Sequence, residues 1–182
     1  AFSLENVGKA GARFDPDKAK WFNHLYLQKQ DPGELAKSFR KIFKEKVEDY
    51  ADIYVRKVVE LIRERADFVS DFWDQGHFFF EAPEEYDQKA RKKNWKENTP
   101  TIMRELRQVL LNITKFTSEN TEKKVKQWIN DKELGMGNVM NPFRLCVVGA
   151  LKGPHLFDII ALIGKKETLK RIDLALEHIS NK

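Results

Sequence analysis

Asn141-Pro142-Phe143-Arg144-Leu145-Cys146-Val147-Val148-Gly149, followed after three residues by Gly153-Pro154-His155-Leu156-Phe157-Asp158-Ile159-Ile160-Ala161-Leu162-Ile163-Gly164, is the stretch that decides the fold. It holds two short apolar runs separated by helix breakers. Asn141-Pro142 predicts a helix start, because proline's missing N–H and fixed φ suit a first turn. Gly153-Pro154 predicts a corner, and Leu156 to Ile163 a second helix stopped by Gly164. Gly135-Met136-Gly137 breaks the chain upstream, and a final amphipathic helix with Leu169, Ile172, Leu174, Leu176 and Ile179 closes it. Short helices turned at glycine and proline corners predict a compact helical cage rather than a long bundle.

Working outward, hydrophobic periodicity is helical almost everywhere and no period-two run is bounded by hairpin turns, so the fold class is all-α. Asp15-Pro16-Asp17 caps a helix carrying Trp21, Phe22, Leu25 and Tyr26, and Asp31-Pro32-Gly33 restarts the chain. The spacing of Leu35, Phe39, Ile42 and Phe43 predicts a helix over Glu34 to Val47. Ile53, Val55, Val58, Val59, Leu61 and Ile62 predict another over Tyr50 to Arg65, with Phe68 to Trp73 extending the pattern as far as Gly76. Phe78-Phe79-Phe80-Glu81-Ala82-Pro83 reads as an extended connection, and a subdomain ends near it. Glu84 to Asn94 is a basic stretch that a solvated helix would explain. Asn98-Thr99-Pro100 and Ser118 each start a further helix.

Composition narrows the function less than the pattern does. Lys and Arg exceed Asp and Glu by 33 to 28, a net charge of +5 that suits a polyanion-facing surface and an ordinary globular protein alike. The single Cys146 sits in an apolar run, permits no disulfide within the chain, and fits a reducing, cytoplasmic setting. No apolar run approaches the ~20 residues that span a bilayer, and no export signal opens the chain. The start at Ala1-Phe2-Ser3-Leu4-Glu5, without an initiator methionine, reads as a piece cut from a longer protein.

Catalytic patterns are absent from the sequence. His24, His77, His155 and His178 are scattered, with no pair at metal-binding helical spacing and no cysteine cluster, so no metal site is expected. There is no phosphate-cradling loop, dinucleotide fingerprint or Gly-x-Ser-x-Gly elbow.

Taken in order, Asn141-Pro142-Phe143-Arg144, Val148-Gly149, Gly153 to Ile159, Leu162 to Lys165, Arg171-Ile172 and Ala175-Leu176-Glu177 resemble the terminal signature of bacterial glutamyl-tRNA synthetases, which are class I aminoacyl-tRNA synthetases. Phe14 to Lys18, Trp21-Phe22-Asn23 and Leu61 to Arg65 resemble earlier segments of the same family, so the resemblance covers essentially the whole chain. It implies the C-terminal anticodon-binding region only: residues 1–30 a remnant of the stem-contact region, 31–90 and 91–182 two small helical subdomains. The family's ATP- and glutamate-binding motifs do not occur here, so the resemblance implies no cofactor in this chain. ATP and Mg²⁺ belong to a catalytic domain elsewhere in the parent chain, and the fragment itself is expected to be inactive.

The implied partners are the anticodon loop of tRNA(Glu) and that catalytic domain, with the chain a monomer. Loop bases are read by stacking and by hydrogen bonds to their edges, while Lys and Arg hold phosphates. The resemblance assigns anticodon contacts to Arg65, Arg144, Pro154, Leu156 and Phe157, the last three as an apolar and backbone platform. The alternative for Leu156 and Phe157 is a place in the core of a short helix, which suits Phe157 more than Leu156, the nearer of the two to the corner. Arg65 carries the specificity: a guanidinium has only donors and pairs with the acceptor edge of cytosine, whereas guanine turns N–H donors toward it. Glutamate and glutamine anticodons differ in this way at the third base. The alternative for Arg65 is a helix-end charge paired with Asp67 or Asp71. Two departures from the family are mild: Phe143 where leucine is common, and His155 where smaller residues are frequent. A free-standing helical adaptor for protein partners is the competing function.

Overall fold

A computed structural model describes residues 15–180. Residues 1–14 of the expected stem-contact remnant, Phe2 and Phe14 among them, lie outside the described residues. Eleven α-helices and no strand occur among the described residues, in agreement with the all-α reading. No helix among them is long and apolar enough to cross a membrane.

The first helices form because the chain caps them. Asp15 accepts from the N–H groups of Asp17 and Lys18 to open α1 (Pro16–Lys29), and Asp31 does the same with Gly33 and Glu34 for α2 (Pro32–Ile42). Asp31 then leads into a face whose Leu35 and Phe39 are fully buried. The expected helix over Glu34 to Val47 is interrupted: Phe43 leaves helical geometry (φ −115°, ψ 37°) before the single turn α3 (Lys44–Val47). The break lets the Phe43 ring stack on Trp73 at 5.7 Å while staying 5.2 Å from Phe39. α4 (Asp52–Ile62) buries Val55, Val58, Val59 and Ile62 against α2, and its expected last turn tightens into a 3-10 turn at Arg63–Arg65. α5 (Phe72–Gly76) completes this group. Gly76 lets this helix lie close to α4, since a Cβ there would come within 2.9 Å of Ile62 Cδ1 and push the end of that side chain aside.

Phe78-Phe79-Phe80 is not the extended connection that the aromatic run and Pro83 suggest. His77–Phe79 form a 3-10 turn, with Phe80 and Glu81 both donating to the His77 carbonyl. All three rings are buried; Phe80 meets Tyr50 at 4.9 Å and Trp73 at 5.9 Å. Burying three large rings outweighs the local preference for an open chain.

α6 (Gln88–Asn94) is shorter than the expected Glu84 to Asn94 and packs on α9. α7 (Thr99–Leu111), α9 (Met136–Val148) and α11 (Lys165–Ser180) pack mutually, with α8 (Ser118–Asp131) and α10 (Leu156–Ile163) completing the second group. Met103, Leu106, Leu110, Val139, Phe143, Cys146 and Ile172 fill its interior. Pro142 does not begin a helix: it lies inside α9, which starts at Met136 after Gly135. Proline in a helix interior costs about 3 kcal/mol, but Val139, Pro142, Phe143, Leu145 and Cys146 are all buried around it. Burial of those side chains carries the helix through the missing hydrogen bond. α9 ends at Gly149 (φ 80°), where an added Cβ would sit 2.7 Å from the Glu85 carbonyl.

Candidate nucleic-acid interface

Arg65 stands at the end of the 3-10 turn that closes α4, and side chains of α1 hold that turn in place. Gln28 Nε2 donates to the Arg63 carbonyl (2.9 Å), His24 Nδ1 to the Ala66 carbonyl (2.9 Å), and Asn23 to the carbonyl of Asp67. Lys20 Nζ pairs with the Asp67 carboxylate at 3.1 Å. Asp71 Oδ2 accepts from the N–H groups of Asp67 (3.1 Å) and Phe68 (2.9 Å). Both acids that could have paired with Arg65 are thus engaged elsewhere. Arg65 is exposed and has no carboxylate partner among the described residues.

Arg144 projects from the last half of α9 into the corner that follows it. Its Nη1 donates to the carbonyls of Lys152 (2.9 Å) and Pro154 (2.8 Å), so one guanidinium nitrogen braces the turn from within. Gly153 makes that turn possible. It sits at φ 96°, and a side chain there would strike the Phe78 ring at 2.9 Å. Burial lowers the Arg144 pKa from its ordinary value, and the nearby positive charge of Arg65 adds to the effect. The charge of one arginine thus bears on the other although they are 79 positions apart by their numbers (144 − 65) and belong to different helix groups.

The other three expected contacts have buried side chains, which bears on the apolar half of the implied platform and not on its backbone half. Pro154 is buried, Leu156 is 2% exposed and Phe157 is fully buried. Their side chains face the interior because α10 must bury its apolar face against α8 and α11. They support the corner from beneath and present no apolar surface to a stacking base. What the corner turns outward is Leu151, Lys152 and His155. Lys152 Nζ reaches the Asp74 carbonyl at 3.3 Å, and the His155 ring lies 3.5 Å from Glu122 and 3.8 Å from Asp158. Sequence reasoning passed over Leu151 and Lys152. The available signal was their position between Gly149 and Gly153, at the tip of a loop where side chains point to solvent.

Arranged in this way, the surface offers guanidinium donors without local counter-charge beside an exposed backbone corner, a combination suited to the edges and phosphates of unpaired nucleotides. The profile of the family described as "Anticodon binding domain" matches residues 34–176. The chain belongs to that family. It is 58% identical over 176 residues to the glutamate–tRNA ligase of Flavobacterium johnsoniae and 44% identical over 176 residues to that of Porphyromonas gingivalis, in each case across 97% of this chain and 35% of the relative. The crystal structure of a glutamate tRNA ligase from Elizabethkingia meningosepticum in complex with its amino acid superposes with a TM-score of 0.91 at 42% identity, over 98% of this chain and 35% of that one. The chain therefore spans about a third of the length of the ligases it matches, and corresponds to their anticodon-binding region. Within the family match, Arg65, Arg144 and the 149–155 corner all fall inside the aligned span.

Proposed function

We propose that this chain is the tRNA-reading part of a glutamate–tRNA ligase and that it binds the anticodon loop of tRNA(Glu), with Arg65 accepting cytosine and rejecting guanine at the third anticodon base. The observation that carries the reading is the exposed Arg65, which has no carboxylate partner among the described residues, on the turn that ends α4, together with Arg144, whose Nη1 braces the 152–154 corner. Guanidinium donors that no protein carboxylate engages suit an anion or a carbonyl-rich base edge. Phosphate and cytosine supply those groups. Arg144 also shapes the corner, while Pro154, Leu156 and Phe157 act as its buried support.

In the whole ligase, glutamate activation with ATP and Mg²⁺ belongs to the remaining two-thirds of the chain. The present piece contributes recognition without catalysis, working in the cytoplasm and as a monomer. Outside that context its binding is weak, because contacts to the rest of the tRNA are missing.

Titrating the chain at low salt with two anticodon stem-loops that differ only in C or G at the third anticodon position tests the reading. The C form is expected to bind about 10- to 100-fold more tightly, the discrimination typical of one well-placed base contact. Its affinity should fall steeply with added salt as phosphate counterions are displaced. Equal affinity for the two stem-loops overturns the specificity assignment, and a salt-insensitive interaction favours the protein-adaptor alternative.

A further inference from the structure

The carbonyls of Phe78, Phe79 and Phe80 each accept a hydrogen bond from a different side chain. Tyr54 Oη donates to Phe79 (2.6 Å) and Tyr50 Oη to Phe80 (2.6 Å), which ties the aromatic turn to α4 and to the residues leading into it. The third donor comes from the far end of the sequence: Arg171 Nη1, on α11, bonds to the Phe78 carbonyl at 2.6 Å. The same nitrogen donates to the Val147 carbonyl at 2.9 Å, and Nε to Glu167 Oε1 at 2.8 Å.

Arg171 is 1% exposed and heads the fully buried side chains by volume. A buried guanidinium is costly to desolvate, and an apolar residue of similar size would pack there without that penalty. What an arginine adds is direction, and its two carbonyl partners bear on the reading surface. Val147 lies in the last turn of α9, the helix that carries Arg144, where carbonyls have no partner within the helix. Phe78 supports Gly153, the pivot of the corner that Arg144 braces. Through Tyr54 the same aromatic turn is fastened to α4, whose C-terminal turn presents Arg65. One buried nitrogen thus joins the helix group bearing Arg65 to the helix group bearing Arg144.

We propose that Arg171 is a positioning residue for anticodon discrimination: by holding the Phe78 and Val147 carbonyls together it fixes the spacing of Arg65 and Arg144 without itself touching RNA. The proposal rests on the reading of those two arginines as the RNA-facing pair. Lysine cannot replace Arg171 fully, since one ammonium on a flexible stem does not reproduce the fixed fork that reaches two carbonyls and Glu167 together.

The test compares Arg171→Lys and Arg171→Met with Leu110→Ala, a core truncation on α7, which carries none of the corner residues. Amide hydrogen exchange of the RNA-free chain is one readout, and the ratio of affinities for the C and G stem-loops is the other. Both Arg171 variants are expected to speed exchange in residues 78–81 and 149–159 by about tenfold beyond what their loss of global stability explains, the scale of one lost hydrogen bond. The C-to-G ratio is expected to fall about 5- to 10-fold toward unity, further in Arg171→Met than in Arg171→Lys, whereas Leu110→Ala keeps the wild-type ratio. Exchange that rises uniformly, as in Leu110→Ala, or a C-to-G ratio that falls equally in all three variants, overturns the proposal. If Arg171→Met fails to fold, Arg171→Lys decides by the same criteria. A wild-type chain indifferent to C or G sinks the Arg65 reading instead, and the exchange readout then decides separately whether the clamp holds the two helix groups.

Discussion

Arg65 and Arg144 look alike in the sequence and do different work in the fold. Arg144 is half-buried and spends one nitrogen on two carbonyls, so its loss would disturb the corner as well as any ligand. Arg65 is exposed, with its turn held by Gln28, His24 and Asp71 rather than by its own side chain. Arg65→Ala is accordingly expected to leave the thermal unfolding midpoint nearly unchanged, as surface substitutions do, while reducing C-over-G discrimination by about 10-fold or more. Circular-dichroism melts with paired stem-loop titrations check it; a variant that loses stability but keeps discrimination would show Arg65 to be structural. The alternative pairing of Arg65 with Asp67 or Asp71 was open in the sequence, because spacing alone cannot tell which of several nearby cations a carboxylate takes. The structure gives Asp67 to Lys20 and His24, and Asp71 to backbone N–H groups.

At the scale of single elements, the corner between α9 and α10 depends on a glycine more than on its proline. Gly153 adopts a left-handed φ and lies against Phe78, so Gly153→Ala adds both backbone strain and a steric conflict with the ring. Such a change is expected to destabilise the chain by about 1–3 kcal/mol and to weaken stem-loop binding. Denaturant unfolding measures the first effect, and an unchanged midpoint would show that the corner relaxes freely. The helix starts at Asp15 and Asp31 are legible because a short polar side chain that caps N–H groups works locally, and Ser118 opens its helix as expected, with Thr117 as the cap. Pro142 departs from its local preference for the complementary reason. A proline's local preference is worth only a few kcal/mol, and the burial of its neighbours on α9, a property of the packed state, exceeded it. The Phe78-Phe79-Phe80 turn departs from its local pattern for the same reason, since the partners Tyr54, Tyr50 and Arg171 lie 25, 30 and 93 positions from the carbonyls they bond.

For the molecule as a whole, the aromatic interior makes stability sensitive to alkali. Burial pushes the Tyr86 phenol up to about 12 from its ordinary 10, and raises Tyr54 and Tyr50 as well. A phenol whose pKa is higher in the folded than in the unfolded chain contributes stability that is complete below pH 10 and is lost as pH rises toward 12. Unfolding midpoints are therefore expected to fall across that window, with phenolate absorbance appearing late in the native protein. A phenolate signal developing fully at pH 10 without unfolding would contradict the burial. The outer side of α1 presents the converse feature. Trp21, Phe22 and Tyr26 are 56%, 54% and 62% exposed, on a helix held to the body chiefly by polar contacts.

The sequence by itself determined the helical class, several helix starts, the glycine corners and, through its ordered motifs, the family. All of these rest on local preferences or on side chains whose spacing along the chain carries the information. It also pointed to Arg65 and Arg144, though not to any link between them. Only the tertiary structure decided that the charge of Arg65 bears on Arg144, that Leu156 and Phe157 are buried beneath the corner, and that Arg171 bonds to carbonyls of both helix groups. Each of these depends on which distant surfaces pack together, and burial and charge proximity exist only once the chain has closed on itself.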